Sequence, residues 1–162
     1  MNDEKFDFDS SVHLEERAKA EISKQKTESI TDRRMAYAVL RLTFGLNILL
    51  HGLVRLPNMN GFVEGLVKNF ADTPLPSFAV RLFAWSLPPL EVGIGMLLLL
   101  GLFTRWALVA GGLVMTALVF GTALRSDWET LGLQMIYSVI YYLLLAARSD
   151  DYFSLDTFLA KR

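Results

Sequence analysis

The sequence predicts an all-α integral membrane protein: a four-helix bundle with a charged N-terminal cytoplasmic extension and a short C-terminal interfacial helix. Two observations carry this prediction. Hydrophobic residues make up 52% of the 162 positions, and most of them follow position 34. They form four apolar stretches, each close to the roughly 20 residues that a helix needs to cross a bilayer. No run of strand length alternates between apolar and polar residues, which argues against a β fold.

Composition excludes several classes of function. The net charge is −1 and no helix-turn-helix or RNA-binding motif occurs, so we expect no nucleic-acid partner. The chain has no cysteine, which excludes disulfides, thiolate metal sites and a cysteine redox relay within it. Its two histidines, His13 and His51, are far apart, and no zinc or di-iron ligand spacing is present. We therefore expect no metal, haem or flavin in this chain.

The two ends of the chain differ from its centre. Residues 1–33 are rich in Asp, Glu, Lys and Ser, unlike a secretory signal, and a helix capped by Ser11 is predicted there. This segment is either a mobile or surface-lying cytoplasmic tail or a docking segment for another protein. Residues 149–162 are predicted to form an interfacial segment, in which Ser154 caps a short helix with one apolar edge.

Between these ends, residues 34–148 form the predicted membrane domain. Its spans are placed at about 34–55, 80–103, 105–124 and 130–147. The second span contains Pro88 and Pro89, and a helix that started there would be only about 22 Å long. A kinked helix from about Val80 is therefore predicted.

Lys and Arg residues set the predicted orientation, because cytoplasmic loops carry an excess of them. With the N-terminus inside, the cytoplasmic side collects Lys5, Arg17, Lys19, Lys24, Lys26, Arg33, Arg34, Arg105, Arg148, Lys161 and Arg162. We therefore expect both termini to be cytoplasmic, in a bacterial inner membrane.

Five polar side chains are predicted to form a layer in the outer half of the bilayer. At about 1.5 Å per residue, His51 lies about 25 Å up the first span, and Glu91 and Gln134 lie about 21 Å up theirs. Tyr137 lies one turn from Gln134, and Arg55 one turn beyond His51. Ionisable groups at such depth are costly and are functional candidates.

Each candidate also has a structural interpretation. Glu91 could form an ion pair with Arg55 or His51, and His51 could simply bond one helix to another. Gln134 and Tyr137 share a face on which polar residues commonly hold helices together. Arg41, only about 10 Å up the first span, is predicted to be structural, either snorkelling inward or bonding a neighbouring helix.

Short motifs in the first three spans resemble those of the DoxX family of four-helix membrane proteins. The matching residues are Arg41, Gly45, His51-Gly52, Arg55-Leu56, Glu91, Gly95, Leu97 to Gly101 and Thr104-Arg105. The namesake relatives are linked to a thiosulfate:quinone oxidoreductase, and others are proposed to assemble with redox partner enzymes. The resemblance thus implies a component of a quinone-linked oxidoreductase.

Under this hypothesis Glu91 and His51 handle protons as the catalytic pair, while Arg55, Gln134 and Tyr137 bind the quinone. Electrons would come from a bound substrate or a protein partner. One alternative is a non-catalytic membrane anchor or partner subunit that uses the tail and the loop at residues 57–77. Another is a small-solute or proton pathway through Glu91 and His51. Besides the lipid bilayer, a protein partner or a homo-oligomer is expected.

Overall fold

A computed structural model of the chain describes residues 3–160, with side chains from residue 12 onward. All regular structure in this part is helical, which confirms the all-α prediction. The elements are α1 (Asp3–Leu53), a 3-10 turn (Leu56–Asn58), α2 (Met59–Asn69), α3 (Ser77–Leu100), α4 (Thr104–Leu124), α5 (Trp128–Ala146), a second 3-10 turn (Arg148–Asp150) and α6 (Leu155–Ala160).

The chain divides into two compact units, and the division falls inside α1, between Ala36 and Tyr37. In the first unit, residues 12–33 are exposed and helical, and Glu15 pairs with Lys19 at 2.6 Å, one turn away. The helix predicted from Ser11 is part of α1, which begins at Asp3. Of the residues used for orientation, Lys161, Arg162 and the side chain of Lys5 lie outside the described part of the chain.

Four helices in the described range are long and apolar enough to cross a membrane. They lie within residues 12–69 and at Ser77–Leu100, Thr104–Leu124 and Trp128–Ala146. The second begins three residues before the predicted Val80 and ends at Leu100, because Gly101 adopts φ 63°, the left-handed conformation that closes a helix. It continues as a helix through Pro88 and Pro89.

Helices α1 and α3 pack backbone to backbone through small residues. A Cβ on Gly95 would lie 2.5 Å from the Leu49 nitrogen, and one on Gly52 would lie 2.6 Å from the Pro88 carbonyl oxygen. Gly93 lies on a different face of α3, with no described atom within 4 Å of its Cβ position. Close approach of this kind is typical of membrane helix pairs.

An aromatic cluster packs α1 against α5 in the core of the second unit. Phe44 lies 4.7 Å from the Tyr141 ring, edge to face, and 5.7 Å from the Tyr137 ring. Gly111 of α4 gives the Tyr141 ring the space it needs. These contacts fix the side of α5 that faces α1.

The C-terminal segment is tied to the start of α4. The carboxylate of Asp156 accepts the backbone N–H groups of Phe103 and Thr104, both at 2.8 Å. Its own N–H donates to the Gly101 carbonyl at 2.9 Å. A residue about 50 positions away in sequence therefore caps α4, and Ser154 also accepts the Thr157 N–H at 3.3 Å in α6.

Candidate functional site

An ion pair between Arg55 and Glu91 is the centre of the site. Arg55 lies just after the end of α1, and its Nη1 donates to Oε2 of Glu91 on α3. Only 10% of the Glu91 side chain and 27% of the Arg55 side chain are exposed. Glu91 lies in the helical segment that follows Pro88 and Pro89 and is among the buried residues of α3.

Hydrogen-bonding groups continue from this pair across to α5. Arg55 Nη2 lies 3.4 Å from His51 Nδ1, and His51 Nε2 lies 3.4 Å from the Tyr137 hydroxyl. Tyr137 in turn accepts from Asn47 Nδ2 at 3.1 Å. Because a guanidinium only donates, His51 Nδ1 faces it as an acceptor, which places the proton of the neutral ring on Nε2, toward Tyr137.

The structure thus brings four of the five predicted layer residues together: His51, Arg55, Glu91 and Tyr137. Gln134, the fifth, bonds elsewhere, since its Nε2 donates to Thr122 Oγ1 of α4 at 2.9 Å. Asn47 also belongs to this hydrogen-bonded series, although the sequence did not single it out as a site residue.

Gln134 faces a cavity of about 350 Å³ between α2, α3, α4 and α5. Arg55 also lines this cavity and so connects it to Glu91. Its walls are mostly aliphatic and aromatic, and comprise Arg55, Phe62, Leu66, Phe70, Leu75, Ala79, Val80, Phe83, Leu87, Ala117, Leu118, Phe120, Gly121, Thr122, Arg125, Thr130 and Gln134.

One side of the cavity is covered by Phe62 of α2 and by Phe70, which directly follows α2, and an arginine packs against each ring. The Arg55 guanidinium lies 5.1 Å from the centre of the Phe62 ring, and that of Arg125 lies 5.4 Å from the centre of the Phe70 ring. Glu64 of α2 also forms a two-point ion pair with Arg81 of α3. Cation–π contacts and this ion pair hold α2 in place.

Arg125 was missed as a site residue by the sequence analysis. It follows α4 directly, as Arg55 closely follows α1, so both spans end in an arginine at the same side of the bundle. That shared position is the signal that could have identified it. Its Nη2 also lies 3.5 Å from Oδ2 of Asp127.

The pKa of Asp127 is lowered, chiefly because its carboxylate accepts the backbone N–H of Thr130 at the start of α5. The charge of Arg125 acts in the same direction. The carboxylate therefore stays ionised and caps α5.

A second recess of about 430 Å³ is an open groove along α1. Asn47 and His51 line it, so the hydrogen-bonding chain that ends inside the bundle at Glu91 begins at an open surface. The remaining lining residues are Thr43, Leu46, Leu50 and Val54.

Arg41 lies apart from these residues, at the C-terminal end of α3. Its guanidinium donates to the carbonyls of Leu98 and Leu99 and, at 2.6 Å, to that of Phe153. The side chain is 2% exposed and its Nε lies 3.5 Å from Oδ1 of Asp151. These contacts join α1, α3 and the C-terminal segment.

Within residues 12–160, no group of three His, Asp or Glu side chains is arranged to hold a metal ion.

A family model described as methylamine utilisation protein MauE matches residues 33–131, which is more than half of the chain. No curated protein and no solved structure matches the chain. The predicted membership of the DoxX family is therefore wrong.

The structure explains why these short motifs suggested the DoxX family. Gly52 and Gly95 are helix contacts, Gly101 closes α3, and Arg41 holds helix ends together. Such residues meet demands that any small bundle of closely packed helices makes, so they do not separate one family from another. The link to a thiosulfate:quinone oxidoreductase depended on that resemblance and is therefore withdrawn.

MauE is a membrane protein family involved in methylamine utilisation. The match over residues 33–131 shows that the chain belongs to the MauE family.

Proposed function

We propose that the chain is a membrane component of an oxidation system and that the cavity beneath α2 binds a lipid-soluble quinone. The MauE family supports the first part, since its members serve methylamine utilisation. The second part depends on one observation: Arg55 lines an apolar cavity and at the same time bonds to the buried carboxylate of Glu91.

The cavity suits a ring with polar oxygens at its edge. Its volume of about 350 Å³ falls in the range of small-molecule sites, about 300–1,000 Å³. Phe62, Phe70 and Phe83 offer aromatic faces and edges against which a flat ring can pack. Arg55 and Gln134 supply N–H donors for carbonyl oxygens, and both already line the wall.

A bound quinone accepts two electrons and two protons. Here Glu91, beside Arg55, is the proton carrier nearest the cavity wall, and His51 and Tyr137 continue toward the groove on α1. Arg55 would orient the ring and keep Glu91 in place. Electrons would come from a protein partner in the same oxidation system.

The proposal places the protein in the bacterial inner membrane with both termini in the cytoplasm. The support for this orientation is the excess of Lys and Arg on the N-terminal side. The arginine ends of α1 and α4, and with them the mouth of the cavity, would then lie near the outer surface.

The test is the quinone content, relative to phospholipid, of the purified protein reconstituted with native lipid extract. Gly121→Leu would fill the cavity, because a Cβ there already points at Phe70, 3.1 Å from its Cζ. Gly112→Leu is the matched control on the same helix, with no described atom within 4 Å of its Cβ position. We expect enrichment in wild type and Gly112→Leu and at least a tenfold loss in Gly121→Leu.

Variants of the polar residues test the proton carriers separately. Gln134→Leu should weaken binding of a short-chain quinone severalfold, and Glu91→Gln and His51→Ala should lose enrichment while remaining folded. Absence of enrichment in wild type, or equal enrichment in Gly121→Leu and Gly112→Leu, would overturn the quinone proposal.

The exposed segment in the first unit favours a second candidate function, that of an anchor for a partner enzyme. Residues 12–33 are helical and charged, and every one of them is exposed. Deletion of residues 2–33 would then abolish co-purification of a partner from native membranes and leave the quinone content unchanged. Retention of the partner after this deletion would contradict the anchor function.

A further inference from the structure

We propose that the chain binds an internal water molecule where α1, the start of α4 and the C-terminal segment meet, coordinated by Tyr37, Arg41, Thr104 and Asp151. This site is at the opposite end of the bundle from the Arg55–Glu91 pair and is independent of the proposed quinone function. Its ligand class is a small neutral molecule that both donates and accepts hydrogen bonds.

Four buried polar atoms carry the inference. They are Tyr37 Oη, Arg41 Nε, Thr104 Oγ1 and Asp151 Oδ1. None makes a well-formed hydrogen bond to a described residue, and the closest contact among them is the long ion pair between Arg41 Nε and Asp151 Oδ1. Tyr37 is 5% exposed, Arg41 2% and Thr104 1%, and the Asp151 side chain is 7% exposed. Buried polar groups almost always have partners, so four in one place point to a bound molecule.

Arg41, Thr104 and Asp151 interact with one another, and Tyr37 is their neighbour on α1. Arg41 Nε and Asp151 Oδ1 are 3.5 Å apart, slightly too far for a good direct hydrogen bond. Tyr37 lies one helical turn before Arg41 on α1 and is therefore on the same face of that helix. The Thr104 hydroxyl is near enough to the Asp151 carboxylate to influence it.

The chemistry of the four atoms matches that of water. Arg41 Nε can only donate and ionised Asp151 Oδ1 can only accept, while the two hydroxyls can do either. A water molecule offers two donors and two acceptors, so one molecule can satisfy all four. Nη1 and Nη2 of Arg41 donate to three carbonyl oxygens, whereas Nε has the Asp151 carboxylate as its neighbour.

Asp151 has an electrostatic reason to need such a partner. Burial raises the pKa of its carboxyl, and the charge of Arg41 and the hydroxyls of Thr104 and Ser154 oppose that rise. A donated hydrogen bond from water would further favour the ionised form and thereby preserve the charge pair with Arg41.

X-ray hydroxyl-radical labelling in ¹⁸O-water tests the site, because radicals formed from bound water label buried side chains beside it. Tyr37 and Tyr141 form a matched pair, since each is 5% exposed. In the full-length protein in lipid nanodiscs, we expect Tyr37 to be labelled at least fivefold faster than Tyr141. Labelling of Tyr37 no faster than Tyr141 would overturn the proposal without any variant.

Thr104→Val provides the second measurement, with Thr116→Val as control, since the Thr116 hydroxyl bonds the Gly112 carbonyl elsewhere on α4. Thr104→Val should slow the labelling of Tyr37 severalfold and lower the unfolding temperature, because a bridged hydroxyl is lost. Thr116→Val should leave the labelling unchanged. A higher unfolding temperature in Thr104→Val would mean that the hydroxyl is unsatisfied and the site dry, which would overturn the proposal.

Discussion

At the scale of single residues, Arg41 donates hydrogen bonds both to the end of α3 and to the C-terminal segment. The last carbonyls of a helix lack intrahelical partners and carry a partial negative charge. Arg41 donates to those of Leu98 and Leu99, and also to Phe153 in the segment that follows α5. One side chain therefore satisfies groups from two distant parts of the chain.

Replacing Arg41 should be strongly destabilising. In Arg41→Leu, the carbonyls of α3 and the carboxylate of Asp151 would be buried without their donor, at a cost of roughly 3–5 kcal/mol. Thermal unfolding in detergent, followed by tryptophan fluorescence, measures the loss. Arg105→Leu is the control, since Arg105 is exposed and lies beside Trp106. Equal unfolding temperatures for the two variants would contradict the prediction.

Asp127 gives a prediction about pH. The pKa of this carboxyl is lowered by the N–H of Thr130, so its contribution to stability is complete above the pKa of the unfolded chain and is lost as pH falls through the lower, folded value. Wild type should therefore lose more stability than Asp127→Asn as the pH falls below about 4. Unfolding temperatures measured from pH 7 to pH 2.5 test this; parallel curves for the two proteins would show that the cap contributes nothing.

At the scale of elements, the contact between α1 and α3 depends on where the glycines fall around α3. Gly93 and Gly95 are both small enough to permit close approach of a neighbouring helix, but only Gly95 meets α1. Successive helical positions are rotated by about 100°, so residues two apart face nearly opposite directions. The sequence alone did not reveal which of the two faced the partner helix.

A pair of alanine substitutions tests this contact. Gly95→Ala would place a Cβ 2.5 Å from the Leu49 nitrogen, a backbone atom, so the helices must separate at a cost of about 1–3 kcal/mol. Gly93→Ala should be neutral or stabilising by up to about 1 kcal/mol, because alanine favours the helix and meets no described atom. The free energy of unfolding in detergent, measured for both variants, should separate them; equal values would contradict the assigned faces.

The residues at which the helices begin and end were less predictable from the sequence than the presence of the helices. The four apolar stretches correctly indicated four helices that are long and apolar enough to cross a membrane, because length and hydropathy are local properties. The cap of α4 was not predictable, since its acceptor, Asp156, comes from the far end of the chain. Likewise, α5 begins at Trp128 rather than near Thr130, because Asp127 caps it.

At the scale of the whole molecule, the depth of each residue was a good guide to which groups could meet, but not to their partners. Depth placed His51, Glu91, Gln134 and Tyr137 at similar levels. The rotation of each helix then decided that Gln134 faces Thr122 and the cavity, whereas Tyr137 faces His51. Rotation follows from packing at Gly95, Phe44 and Gly111, which depends on contacts between segments far apart in sequence.

The Arg55–Glu91 pair joins the cavity wall to the buried carboxylate on α3. A double-mutant cycle should measure its contribution to the free energy of unfolding. Removing one partner leaves the other charge buried, which costs about 3–5 kcal/mol in fully buried pairs. Less is expected here, because 27% of the Arg55 side chain is exposed. Arg55→Met and Glu91→Leu should each lower the free energy of unfolding, and the double variant should lose less than the sum of the two.

The cycle also separates stability from function at this site. If the pair serves only to hold α1 against α3, the double variant, with its apolar replacements, should recover both stability and quinone content. If Arg55 and Glu91 act on a ligand, the double variant should recover stability but remain without quinone, because neither the donor nor the proton carrier is restored. Additive losses of stability would instead show that the two side chains are not coupled, and that the ion pair seen between α1 and α3 is too weak to organise the site.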